Sequence, residues 1–293
     1  GIFLALSALC DWNYLVYGFV LMALGYAYSA FCYRRLIVHT AIKQIIFAAA
    51  VCVFLLSPWI FPMVKIVLTT PFKLNLTGQD LFVADLFGFF VPTDAHLLSK
   101  IEWIRSLNLK MIAGANEWEK AVYLGWANLL LAVWALKKDF RRMLPYLAGL
   151  LAFMVLALGT VLHVAGQKYQ VPLPYTVFQH LPFFSQARIP SRIVVFAYLF
   201  LGVLAGFGIR HLFASSKKWA SAAFLAVFLL IFLDFYSVNA VTTPVKLPAA
   251  YEAIQKDPLK DFAVLDVPWD GARYMMYQTM HGRPIVQGYL GRR

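Results

Sequence analysis

The sequence predicts an all-α polytopic membrane bundle of about six to seven spans, with outer-face loops and the start of an α/β extracytoplasmic domain. Three observations carry this. The chain is 61% hydrophobic and only 14% charged, against about 25% charged in soluble domains. Its mean hydropathy is +0.69. The apolar residues fall in repeated runs close to the roughly 20 residues that a spanning helix needs. A bilayer supplies no hydrogen bonds to the backbone, so such runs must fold as helices.

Taken in order, residues 1–9 read as the tail of one span. Further spans are expected at 15–32, 44–64, 121–136, 143–164, 193–209 and 219–238. The 121–136 run is short, and Trp118 and Tyr123 are expected to anchor it in the outer interface. Loop charge sets the orientation. Loop 33–43 holds Arg34, Arg35 and Lys43; loop 137–142 holds Lys137, Lys138, Arg141 and Arg142; loop 210–218 holds Arg210, Lys217 and Lys218. Alternating spans put all three on one side, assigned to the cytoplasm of a bacterial-type plasma membrane. The core is then 1–238, with outer loops at 65–120 and 165–192. Most of the formal charge of +12 falls in these loops and does not call for nucleic acid.

Residues 239–293 read as the truncated start of the outer α/β domain. "AAYEAIQKD" predicts a short helix, "FAVLDVP" a strand closed by Pro268, and "ARYMMYQTMHG" a helix closed by Gly282. Gly1 stands where Met would, already inside an apolar run. The chain therefore reads as a piece of a longer protein. Cys10, Cys32 and Cys52 show neither metal spacing nor a disulfide framework.

Several polar residues stand out. Arg188 and Arg192, in "HLPFFSQARIPSRIVVF", flank Pro190 at the mouth of a span. Arginines at that depth can take a lipid-linked phosphate bidentately; the alternative is interfacial anchoring or a salt bridge to an outer-loop acid. "PYTVFQHLPFF" before them reads as a helix lying in the interface. In "GQDLFVADLFGFFVPTDAHLL", Asp80, Asp85, Asp94 and His96 sit among aromatic residues. They are candidates for altered ionisation or cation binding, or for helix caps and interfacial polar groups. The set is too sparse for a metal site. Asp234 is the only acid inside an expected span and is a functional candidate on that ground. Gly202, Gly206 and Gly208 form a small-residue face suited to close helix packing. Walker A, GxGxxG, HExxH and GxSxG patterns are absent.

The order of a multi-span core, "DLFGFFVPTDAHLL", "HLPFFSQARIPSRIVVFAYLFLGVLAGFGI" and "VLDVPWDGARYMMYQTMHGRPIVQGYL" resembles the later half of bacterial GT-C-type membrane glycosyltransferases, including YfhO-like membrane proteins. The likeness covers most of the chain and rests on architecture more than on a strict catalytic signature. It implies a transferase that takes a sugar from a polyprenyl-phosphate donor at the outer face. It implies no certain cofactor and leaves a divalent metal open. It also implies that the acid activating the acceptor lies in a first outer loop preceding this chain. Arg188 and Arg192 would then stabilise the departing phosphate. The partners expected are membrane lipid and lipid-linked sugar. A transporter or flippase of a lipid-linked saccharide would use the same basic pair, but would want polar groups along a path through the membrane. A non-catalytic scaffold is the third reading.

Overall fold

The computed structural model describes residues 1–32, 38–69, 81–112, 117–178, 189–214, 220–237, 247–259, 261–267 and 271–286. The chain is mainly helical and divides into two compact units, Gly1–Asn239 and Ala240–Arg293. The first unit contains α1 Ile2–Cys10, α2 Trp12–Cys32, α3 Val38–Thr69, α4 Glu102–Ile112, α5 Glu117–Lys120, α6 Trp126–Lys138, α7 Phe140–Ala157, α8 Tyr175–Phe178, α9 Val194–Ala214 and α10 Ala220–Asp234. The second contains α11 Ala249–Lys256 and α12 Gly271–His281.

Four helical segments among the described residues are long and apolar enough to cross a membrane: Trp12–Phe31, Ile42–Ile66, Phe140–Ala157 and Pro190–Phe213. The protein is therefore a helical, membrane-embedded one. Two other expected spans are realised as shorter helices. α6 has 13 residues and α10 has 15, or about 20 and 22 Å at the α-helical rise. α6 starts late because residues 121–125 are not helical and Gly125 takes a left-handed φ of 84°. The run expected at 143–164 also changes character: α7 stops at Ala157, and Gly159 at φ 78° turns the chain. Val161–Val164 (β1) then pairs antiparallel with Gln167–Pro172 (β2). Ala165 and Gly166, both at positive φ, make the two-residue turn, as hairpins prefer.

The main core lies where α9 packs along α6 and α7. Phe153 stacks against Phe196 and Phe200 with centroids at 5.1 and 5.8 Å. Gly149 makes room for Phe200: a Cβ there would lie 2.5 Å from the ring. On α9, Gly208 meets the α6 backbone, where a Cβ would lie 2.2 Å from the Leu131 carbonyl oxygen. Gly202 and Gly206 are exposed and face open space, so the expected three-glycine packing face reduces to one residue. α1 packs on α2 and α3 through a separate small core of Ala5, Ala8, Cys52 and Leu56. With lipid as the solvent, this close packing and the polar bonds at helix ends replace the hydrophobic effect as the force between helices.

The bundle has a polar end and a basic end. At the basic end the Arg142 guanidinium lies over Phe207, 5.3 Å from the centroid, and Lys138 over Trp134. The loop expected at 137–142 reduces to the one-residue break at Asp139, with Lys137 and Lys138 in α6 and Arg141 and Arg142 in α7, beside the stretch of α9 that leads to Arg210. Loop 33–37 lies outside the described residues. At the polar end, Ala84 N–H donates to the carbonyl of Ala157, where α7 ends, and Ser191 N–H donates to that of Phe82, where the α9 span begins.

In the second unit, Val264 and Ile285 form an isolated parallel bridge across α12. Gly282, at φ 69°, follows the end of that helix.

Candidate functional site

The polar end gathers residues from stretches far apart in the chain. Arg192 lies in the 3₁₀ turn Pro190–Ile193 that leads into α9. Its Nε and Nη2 donate to the two Glu119 carboxylate oxygens at 3.1 and 2.7 Å, a bidentate fork, and Nη1 donates to Asp11 Oδ2 at 2.7 Å. Asp11 fills the one-residue break between α1 and α2, and its Oδ1 accepts the backbone and side-chain N–H groups of Asn13, both at 2.8 Å. Ser191 Oγ donates to the Glu119 carbonyl. Tyr17, fully buried in α2, donates to the Ile189 carbonyl at 3.2 Å. The ion pair thus joins the α1–α2 break, α5 and the turn that leads into α9 at one point. Of the roles weighed for Arg192, the salt bridge is present in the structure, to Glu119 of the long segment 65–120 and to Asp11. Arg188 lies outside the described residues, as does Asp80.

Asp85 is buried and holds the loop to the hairpin. Oδ1 accepts the N–H groups of Phe87 and Ala165, both at 2.9 Å, and Oδ2 accepts that of Gly166 at 2.8 Å. Gly166 is required here, because a Cβ would lie 2.3 Å from the Lys110 carbonyl oxygen. Lys120 is half-buried and donates to the Met111 carbonyl at 2.7 Å. Burial lowers its pKa, and the nearby Asp85 charge opposes that shift.

Asp234 ends α10 and caps α6. Its Oδ1 accepts the Tyr123 hydroxyl at 2.6 Å, and its Oδ2 accepts Ala127 N–H at 2.8 Å, in the first turn of α6. Tyr123 also accepts Trp126 N–H at 3.1 Å. Burial, then the bond to Asp234, pushes the Tyr123 phenol well above its ordinary pKa. Tyr123 is therefore a buried partner of Asp234 rather than the lipid-facing anchor expected. The Trp118 side chain lies outside the described set. His96 stands edge-on to Tyr123 at 5.9 Å, and its Nδ1 accepts Leu98 N–H at 3.0 Å. Its backbone bridges Ser237. Asp94 is half-buried in the preceding turn. Of "PYTVFQHLPFF", only the start is described: the four-residue α8, in which Tyr175 is buried.

Among the described residues no three His, Cys, Asp or Glu side chains come together as metal ligands. Sequence reasoning singled out Asp85, His96, Arg192 and Asp234, took Tyr123 only for an interfacial anchor, and passed over Asp11, Glu119, Lys120 and Ser191. Asp11 carried a usable signal, an acid between two apolar runs. Comparison with protein-family models, curated proteins and solved structures finds no match.

Proposed function

We propose that the protein acts as a membrane glycosyltransferase, moving a sugar from a polyprenyl-phosphate-linked donor to an acceptor at the polar end of the bundle. In this reading that end faces outward from a bacterial-type plasma membrane. α6 and α10 complete a set of six to seven spans, and the second unit is extracytoplasmic. The supporting observation is the placement of Arg192. It sits at the start of a helical segment long and apolar enough to span a membrane, with its guanidinium orientation fixed by Glu119 and Asp11; in this reading that start lies level with lipid phosphates. An arginine has five N–H donors, and these bonds use three. The remaining two can address a phosphate oxygen without breaking the ion pair. Arg188, four residues earlier, would add a second positive charge and offset the two carboxylates.

The test is binding of undecaprenyl phosphate to the chain in nanodiscs, for wild type, Arg188→Ala and Arg192→Gln, with thermal melting alongside. Loss of binding in Arg188→Ala with an unchanged melt supports the phosphate seat, and release of polyprenyl phosphate from a sugar-linked donor then tests transfer. Unchanged binding in both variants removes the seat.

A non-catalytic scaffold is the second reading. It is favoured by the same Arg192 network, whose two acids more than neutralise the guanidinium and tie it to the α1–α2 break and to α5. Arg192→Gln that lowers the melt but leaves lipid-phosphate binding intact selects it.

A further inference from the structure

We propose that the segment Leu81–Ile112 is a platform that lies on the membrane surface and binds anionic phospholipid headgroups. Its level is fixed by backbone bonds to span ends: Ala84 to Ala157, and Ser191 to Phe82. The Phe90 carbonyl also accepts Trp126 Nε1–H at 2.7 Å, where the lipid-accessible face of α6 begins. A segment at that height meets headgroups along any side that protein leaves uncovered.

Its uncovered side has the composition of an interfacial surface. α4 buries Ile104, Asn108 and Met111 on one face, with Asn108 Nδ2 donating to the Pro92 carbonyl at 2.7 Å. The rest of α4 is outward. Trp103 is 58% and Leu109 56% exposed, and Phe87 and Phe90 are 45% and 44% exposed in the 3₁₀ turn near the start of the segment. At 100° per residue, Trp103 and Lys110 share one flank of α4, and Arg105 and Leu109 share the other. Each flank therefore pairs an apolar side chain, which can enter the headgroup–acyl boundary, with a cation that reaches the phosphates. Lys100, Arg105 and Lys110 are all exposed, whereas of the segment's three acids only Glu102 is exposed, Asp94 being half-buried and Asp85 buried. The buried Asp85 is occupied by three N–H groups and does not offset them. The excess of cations selects anionic over zwitterionic lipid.

The experiment uses the chain reconstituted in phosphatidylcholine alone and in phosphatidylcholine with phosphatidylglycerol. Wild type is compared with Trp103→Phe and with a Lys100→Gln, Arg105→Gln, Lys110→Gln variant. The difference in tryptophan emission between wild type and Trp103→Phe should be quenched by shallow brominated lipid and not by aqueous acrylamide. Phosphatidylglycerol should raise the melting temperature of wild type. The triple variant should match wild type in phosphatidylcholine and lose the rise, each removed cation weakening the anionic-lipid preference about fivefold. Quenching of Trp103 by acrylamide places the surface in water and overturns the proposal. Insensitivity to both quenchers places it under protein and does the same. A full phosphatidylglycerol-dependent rise in the triple variant overturns the headgroup assignment.

Discussion

The Tyr123 hydroxyl donates to Asp234 Oδ1 at 2.6 Å, across 111 residues of sequence. The other oxygen of the same carboxylate accepts from the first turn of α6. The acid that looks anomalous at the end of an apolar helix is thus the N-terminal cap of another, and a carboxylate is favoured there by the helix dipole as well. Tyr123→Phe removes one of these bonds, together with the acceptor of Trp126 N–H, and leaves the cap. It is expected to cost about 1–2 kcal/mol, in the range of a hydrogen bond to a charged group. Asp234→Ala removes both and should cost more. A double-mutant cycle on thermal melting in detergent should show the two substitutions coupled. Strict additivity would mean that the bond contributes nothing.

Arg192 distinguishes charge from shape. A lysine in its place keeps the cation but cannot offer the planar fork that spans both Glu119 oxygens while reaching Asp11. The side chains are partly exposed, 34% for Arg192 and 19% for Glu119, so the pair is worth less than a fully buried one. Arg192→Ala should lower stability by about 2 kcal/mol, below the 3–5 kcal/mol of a broken buried pair. Arg192→Lys should recover only part of that, as read from denaturation midpoints.

Asp85 offers a graded test. Oδ1 takes two of its three N–H groups and Oδ2 takes the third. Asp85→Asn can keep the carbonyl oxygen on the Oδ1 side, but turns an amide N–H toward Gly166. Asp85→Ala strands all three donors. The expected losses are about 1–2 kcal/mol for Asn and about 3 kcal/mol for Ala. Protease cleavage in the β1–β2 hairpin should rise in the same order.

How far the sequence reaches depends on the range of the interactions. The spans at Trp12–Phe31, Ile42–Ile66 and Pro190–Phe213 follow from unbroken apolar runs, a local property. The ends of α6 and α7 do not follow, because they are set by single glycines at positive φ, Gly125 and Gly159, inside segments whose hydropathy barely changes. The Val161–Pro172 hairpin was hidden for the same reason: its apolar strand continues an apolar helix. Of the site, Arg192, Asp85 and Asp234 were visible as charges in apolar surroundings. Their partners were not, since Asp11 and Arg192 are 181 residues apart and no periodicity relates them.

The glycines of α9 separate a sequence pattern from its use. Gly208→Ala places a methyl against the Leu131 carbonyl, and because the obstacle is backbone the helices must part. A cost of about 1–3 kcal/mol is expected. Gly202→Ala and Gly206→Ala meet nothing within 4 Å. They should be neutral or stabilise by about 0.5 kcal/mol through helix propensity. Equal destabilisation at all three positions would mean that Gly202 and Gly206 pack against a helix of another molecule.

The second unit should weaken in acid, and His281 is the reason. Its Nδ1 accepts Arg283 N–H at 3.1 Å, a bond available only to the neutral ring. The ring is 4% exposed and stacks on Tyr251 at 5.6 Å. Asp266, which accepts the Tyr251 hydroxyl, and Arg283 are the nearby charges. Burial lowers the His281 pKa; Asp266 opposes this and the Arg283 cation reinforces it. With the folded pKa below the unfolded value of about 6.5, the unfolded chain takes up the proton first. The contribution is complete above about pH 6.5 and is lost as pH falls through the folded pKa. Hydrogen exchange of α12, corrected for intrinsic rates, should therefore accelerate as the pH is taken from 7.5 to 5. His281→Asn can still accept from Arg283 N–H but does not titrate, so its exchange should lose that acid dependence. If the acid response persists in His281→Asn, the titrating group lies elsewhere.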